Sequence, residues 1–372
     1  MTNHNTYNNQ RILTGDTPTG KLHLGHWVGS LENRIALQQE YECFFIIANM
    51  HAFTTNKNNP KQIRENVENI ILDYLSVGID PAKSSIFLQS EIPAIAELSF
   101  LFSMLVPLAR ILRNPTIKKE IRDKNLGDNY PFGFLLYPIG QVADILAFRA
   151  NLVPVGEDQI PHIELTREIA RLFNQTYCNV DPQIKDEDHQ KHGGLLVIPE
   201  IKLGREKRLI GIGPPGNDGT LLKMSKSLNN AIFLNDNPDL VSKKVMQMYT
   251  DPKRLKTTDP GEINNNPLWI FHRAFNPDLD WVKNAEDRYS LGKIGDVECK
   301  KKLIEILNDF LDPIRKKRAM YANDRNIIID VLKQGTIKAN EIAEETLSLV
   351  KKHTHQDFWG RKIMVTPDLH DK

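Results

Sequence analysis

The chain has 372 residues, more than one compact core usually holds, so two domains are expected. Its 48 Lys and Arg against 47 Asp and Glu leave a net charge of +1, which excludes a global positive field, so any nucleic-acid surface must be a local patch. Cys43, Cys178 and Cys299 are too far apart for a zinc or CxxC spacing, the first ten residues lack the apolar core of a signal peptide, and no run reaches the length of a membrane span; a reduced, cytoplasmic protein is expected.

The apolar pair Ile12-Leu13 ends in a small-residue turn, Thr14-Gly15-Asp16-Thr17-Pro18-Thr19-Gly20-Lys21. His23-Leu24-Gly25-His26 follows, and residues 27–41 read as a helix. A strand, a glycine turn and a helix N-terminus make an anion site, because free N–H groups and the helix dipole point at the ligand. Gly15, Gly20 and Gly25 would let the backbone approach a nucleotide, and His23 and His26 can each donate to a phosphate oxygen. On this stretch alone, an ordinary strand-to-helix turn with two surface histidines explains the pattern equally well.

Residues 43–48 are continuously apolar, as in a strand buried on both faces. Asn59 as N-cap and Pro60 at the first helical position open a helix with Ile63, Val67, Ile70, Ile71, Tyr74 and Leu75 on one face, stopped by Gly78. A third strand covers 85–88. This alternation predicts a parallel sheet, whose ligands bind outside the C-terminal strand ends. Residues 95–105 read as a helix, and the polar, basic stretch 110–129 as a loop or lid. Residues 139–146 read as a helix with one acid, Asp144, among apolar neighbours. A strand at 152–155 runs into Gly156-Glu157-Asp158-Gln159, and 160–173 is helical.

The segment 181–219 reads as irregular, with His189 and His192 in an acidic run; a solvated loop is preferred there to a metal site, and no metal ligands are assigned. Beyond it, Lys223-Met224-Ser225-Lys226-Ser227 puts two lysines three residues apart, able to neutralise phosphate charge from a mobile loop. After residue 235 the pattern turns to long amphipathic helices around Leu303 to Leu311, 327–332 and 339–350, with Arg315-Lys316-Lys317-Arg318 a candidate basic patch. The expected architecture is α/β: a Rossmann-like parallel-sheet domain over 1–230, an all-α domain over 231–352 and a polar tail over 353–372.

Together the HLGH turn and the KMSKS loop resemble the signatures of class I aminoacyl-tRNA synthetases. Residues 16–30, Tyr137-Pro138, Ala143-Asp144-Ile145, Val153-Pro154-Val155 with Gly156-Glu157-Asp158-Gln159, His162 to Arg167, and Met248 to Pro252 are similar to the bacterial tryptophanyl branch, over most of 11–352. The resemblance implies activation of L-tryptophan with ATP and Mg²⁺ to the adenylate, transfer to tRNA(Trp), and a homodimer. It assigns Thr17, Pro18, Thr19, Gly25, His26, Gly156, Glu157, Asp158, Leu209, Lys223, Met224, Ser225, Lys226 and Ser227 to ATP. Asp144 would accept the indole N–H, Gln159 the amino group, and Tyr137, Gln141, Val153 and Val155 would wall the pocket. Lys223, Lys226, His23 and His26 would carry catalysis by charge stabilisation, with no side-chain nucleophile. Thr17 and Gln141 depart from the residues common at those positions. A tyrosyl enzyme, a nucleotidyltransferase without tRNA, and a non-catalytic RNA-binding relative are the alternatives.

Overall fold

Ile12 and Leu13 point to opposite faces of strand β1 (Arg11–Asp16), and this alternation builds two cores. The computed structural model describes residues 10–123, 126–127, 130–203, 209–226 and 228–360, apart from the side chains of Thr55 and Asp123. With β2 (Glu42–Ile47), β3 (Ser84–Leu88), β4 (Leu152–Val155) and β5 (Glu200–Leu203), β1 forms a parallel sheet of order β3-β2-β1-β4-β5. Sequence order reverses between β1 and β4. That pairing is brief: the register holds only Ile12 opposite Leu152, and Thr14 Oγ1 then donates to Pro154 O at 2.7 Å. The two strands part there, and a crevice opens at their C-terminal ends.

After β1 come α1 (Leu24–His26), a π turn at Trp27–Leu31 and α2 (Glu32–Leu37), together the expected helix. Next are α3 (Phe53–Asn56) and α4 (Pro60–Val77). Gly78 caps α4 with φ +108°, but the Asn59 side chain makes no capping bond, so only Pro60 and Gly78 act as expected. Then follow α5 (Pro93–Ser103), α6 (Leu108–Leu112), α7 (Pro115–Asp123), α8 (Phe132–Ala147) and α9 (Ile160–Tyr177). The C-terminal part holds α10 (Pro238–Met246), α11 (Pro267–Phe275), α12 (Leu279–Ser290), α13 (Asp296–Ala322) and α14 (Arg325–His353).

Three expectations are corrected. The stretch 110–129 is not a loop at its start: α6 and α7 are helical, with Ile111 and Ile117 buried and Asn114 Oδ1 accepting from Thr116 N at 2.9 Å just ahead of the first turn. Charged outer faces hid that periodicity. The segment 181–219 contains β5, an edge strand whose residues are mostly exposed and therefore show no apolar run. It is not a solvated loop at 186–192 either: Arg171 Nε grips Asp186 at 2.6 Å, and His189 is buried against Asn174. Among the described residues no group of three His, Cys, Asp or Glu could hold a metal.

One core gathers Ile12, Phe45 and Ile47 with α4 and α10 to α13, and thus joins segments from both sides of residue 230. The other gathers Leu13, Phe44 and Ile46 with α5, α8 and α9. Helix α14 contributes Ile328 and Val331 to the first core and Ala339, Ala343 and Leu347 to the second. It passes between them across edge strand β3, and so covers its open edge. Gly335 sits at the crossing; a Cβ there would lie 1.9 Å from Ile86 O. The two helices expected at 327–332 and 339–350 are therefore one. No described helix is long and apolar enough to cross a membrane.

Candidate active site at the switch point of the sheet

A cavity of about 740 Å³ lies over the crevice between β1 and β4. Its floor is Thr14, Gly15 and Asp16 from β1 and Val153, Pro154 and Val155 from β4. Gly15 belongs there for a steric reason: a Cβ would fall 1.8 Å from Ile46 O on the next strand. Of the expected nucleotide residues, Thr17, Thr19, His23, Gly25 and His26 line one wall. Gly156, Asp158, Leu209, Lys223, Met224, Ser225 and Lys226 line the mouth. Val153, Val155 and Asp144 reach the inner end, and Gln141 and Gln159 complete the lining. Pro18, Tyr137 and Glu157 do not line the cavity, and Ser227 lies outside the described residues.

The two signature histidines lie against each other, ring centroids 3.8 Å apart and planes tilted by 48°. His26 Nδ1 accepts from His23 N at 3.1 Å, which leaves the neutral ring's proton on Nε2. Burial, then His26 and the two lysines, hold the His23 imidazole down at about 2. Burial outweighs the attraction of Asp16 and holds His26 at about 4. Both rings are therefore neutral hydrogen-bond donors at pH 7, and positive charge must come from the lysines.

Lys223 Nζ rests 3.5 Å from Asp158 Oδ1, and Lys226 Nζ 3.5 Å from Thr19 Oγ1, so their loop bridges both nucleotide walls. Buried Asn230 shapes that loop: its Oδ1 accepts from Ser225 N at 2.7 Å and its Nδ2 donates to Lys223 O at 3.2 Å. The loop is also pinned to the strip holding Leu209, through Met224 N to Leu209 O at 3.3 Å and Gly211 N to Leu222 O at 2.9 Å.

Asp144 stands at the inner end of the cavity, 3 % exposed. Burial pushes its carboxyl up to about 7, against the opposing hydrogen bond from Gln89. Gln89 Nε2 donates to both carboxylate oxygens, at 2.8 and 3.0 Å, and lies 3.1 Å from His51 Nε2. His51 Nδ1 is 3.8 Å from Asp144, but burial holds that imidazole at about 4, so the contact is not an ion pair at neutral pH. Gln141 Nε2 donates to Gln159 Oε1 at 3.2 Å, and Tyr137 meets His162 at 3.3 Å behind the wall. Together these residues offer a buried carboxyl acceptor held by polar neighbours, with Ile145, Val153 and Val155 as the apolar part of the lining.

The sequence reading missed Asp16, Arg34, His51, Gln89 and Asn230 as parts of the site. His51 and Gln89 follow the C-terminal ends of β2 and β3, where a parallel sheet delivers functional groups, so that rule applied to every strand finds them. Arg34 Nη1 donates to Asp16 Oδ2 at 2.8 Å and to Tyr74 Oη at 2.7 Å. Burial raises the Asp16 carboxyl, but Arg34, His26 and Tyr74 outweigh it and hold it at about 2.

The model of the family described as "tRNA synthetases class I (W and Y)" matches residues 5–312. The chain belongs to this family of class I synthetases. It is 47% identical over 347 residues to a tryptophan--tRNA ligase of Streptococcus pyogenes, covering 91% of this chain and 96% of that one. It is 48% identical over 344 residues to the tryptophan--tRNA ligase of Streptococcus pneumoniae, with the same coverage. The tryptophanyl-tRNA synthetase of Campylobacter jejuni, solved with ADP and tryptophan, superposes with a TM-score of 0.77 at 28% identity, over 93% of this chain and 100% of that one. These likenesses put the chain in the tryptophanyl branch.

Proposed function

We propose that the chain is a tryptophan--tRNA ligase. The observation that carries the reading is the buried Asp144 at the inner end of a cavity whose mouth brings together the HLGH turn and the KMSKS loop. The indole N–H would donate to Asp144, and the amides of Gln141 and Gln159 would face the amino-acid head group. Thr17, Thr19, Gly25 and the Gly156–Asp158 turn would hold ATP against His26 Nε2–H, with Leu209 and Met224 as apolar wall. Pro18, Glu157 and Tyr137 stay in the proposed site as outer members, and Ser227, outside the described residues, keeps its assignment to ATP.

The tryptophan carboxylate oxygen attacks the α-phosphorus of ATP, and the bond to the bridging oxygen breaks as pyrophosphate leaves with the electron pair. Lys223 and Lys226 then exchange Asp158 and Thr19 for the phosphate oxygens on which charge develops, while the histidines donate without a proton transfer. A ribose hydroxyl of the terminal tRNA adenosine attacks the acyl carbon, and AMP departs. Mg²⁺ would be held by the ATP phosphates and would supply charge neutralisation there; Asp16 is engaged by Arg34 and Tyr74.

In this reading 1–230 is the catalytic part and 231–352 the helical part that docks the tRNA anticodon. The patch 315–318 is largely used by the fold: Arg315 donates to Asp236 O at 3.2 Å, Arg318 to Asp73 at 2.9 Å and Lys316 pairs with Asp312 at 2.6 Å, so RNA would meet exposed Lys317 and the Lys316 side chain drawn from its surface pair. Exposed Phe100, Leu108 and Phe132 on α5, α6 and α8, with Met104 at the end of α5, support a homodimer, since α8 packs on both other helices and so much apolar surface seldom faces water. The protein would work in the cytoplasm, with its tRNA. The test is charging: with ATP, a tRNA pool and each aromatic amino acid, only tryptophan should be esterified. Esterification of tyrosine at the same rate would select the tyrosyl alternative, and none with any amino acid would select the relatives without ligase activity.

A further inference from the structure

Under the nucleotide loop, α4 carries a stripe of polar residues where a core-facing helix would be apolar. Asn66, Asn69 and Asp73 recur three and four positions apart, and so share one face. Asn66 Nδ2 donates to Pro18 O at 3.1 Å, and Leu22 N–H donates to Asp73 Oδ2 at 3.0 Å. The next residue, Tyr74, donates to Asp16 Oδ2 at 2.6 Å. One helix thus holds the loop at its start, its middle and the residue before His23.

Asp73 is 1 % exposed, and a carboxyl so buried is costly unless paired. Its partner comes from the C-terminal helices, 245 residues along the chain: Arg318 Nε of α13 donates to Asp73 Oδ1 at 2.9 Å. Arg318 Nη2 also donates to Asn69 Oδ1 at 2.6 Å, so the guanidinium straddles the stripe in one orientation. The chain of contacts runs from α13 through Arg318 and Asp73 to the backbone of Leu22, next to the paired histidines.

We propose that Arg318 is a positioning residue for ATP: by neutralising Asp73 it holds Leu22 N–H, and with it the turn that presents His23, Gly25 and His26 to the phosphates. The inference rests on the ligase reading of the cavity, which the wild-type protein tests by itself. Tryptophan-dependent ATP–pyrophosphate exchange is measured on the full chain for wild type, Arg318→Met and the double variant Asp73→Asn/Arg318→Met. The melting temperature of each is recorded, and assays run well below it.

Arg318→Met should lower kcat/KM for ATP by about 10–100-fold, the scale of a displaced loop, while KM for tryptophan stays near wild type, because Asp144 lies at the far end of the cavity. The double variant should recover most of that loss: the amide oxygen that Asp73→Asn supplies still accepts from Leu22 N–H, and no charge is left buried. If Arg318→Met does not fold, Arg318→Lys, which keeps the charge but loses the fork to Asn69, carries the same comparison of ATP with tryptophan. Wild-type parameters for ATP in the folded variant would overturn the proposal. So would equal losses for ATP and tryptophan, or a double variant that regains its melting temperature but not its kcat/KM for ATP. No exchange in wild type would overturn the reading of the site, and this inference with it.

Discussion

At the inner end of the cavity one carboxyl, Asp144, is buried against Gln89 and His51 and held near 7; at the mouth the Lys223 side chain is half-exposed and rests 3.5 Å from an equally exposed Asp158. The inner group is fixed by two hydrogen bonds from Gln89, whereas the outer groups hang on a loop pinned at Asn230. A rigid, dry acceptor can discriminate between ring systems, since a partner that lacks the N–H leaves it unpaired. A long cationic side chain reaching from a surface loop discriminates poorly but can follow charge as it moves on to pyrophosphate. Selection and acceleration are therefore assigned to opposite ends of one cavity.

The largest expected effect comes from removing the inner acceptor. Asp144→Ala should weaken tryptophan binding severely and shrink the preference over phenylalanine, which a site built on such a bond can set at roughly 10⁴-fold. Calorimetric titration of both amino acids into a variant with a native circular dichroism spectrum checks this. Retained selectivity would move the recognition of the indole to another group, Gln141 first.

At the mouth the loss should fall on rate instead. Lys226→Ala should slow adenylate formation by ~10²–10³ and leave the dissociation constant for tryptophan nearly unchanged, as measured by single-turnover kinetics. A change far from both ends sharpens the contrast. Gly335→Ala drives a Cβ to 1.9 Å from Ile86 O and should cost about 1–3 kcal/mol of stability, read by urea unfolding, without shifting the balance between ATP and tryptophan.

The smallest effect is a pH dependence confined to the inner end. The Asp144 carboxyl is raised from 3.8 to about 7, so tryptophan affinity should fall as pH drops through 7 and the acceptor takes up a proton. The histidines at the mouth, held at about 2 and 4, do not titrate in that window. A raised acid stabilises the fold below its unfolded pKa, and that stability is lost as pH rises through 7. Asp144→Asn should therefore gain stability relative to wild type between pH 5 and 8, and urea midpoints across that range check the sign.

What the sequence made legible follows the same division. The mouth is built from contiguous stretches, His23 to His26 and Lys223 to Lys226, whose chemistry is local and shows in a row of letters. The inner end is assembled from separate strand ends: Asp144 stood out as an acid on an apolar helix, but Gln89 and His51 are brought to it only by the sheet order. Strands β1 to β4 were readable because they are apolar, and β5 was not because an exposed edge has no pattern to show. The passage of α14 from one core to the other hid for a different reason. A helix that changes the face it buries at Gly335 looks, along the chain, like two shorter ones.

The most direct test of this division is ATP–pyrophosphate exchange by the purified chain with tryptophan, tyrosine or phenylalanine as the only amino acid. The account predicts exchange that depends on tryptophan and is near background with the other two. Equal exchange with tyrosine, or none with any of the three, would contradict it.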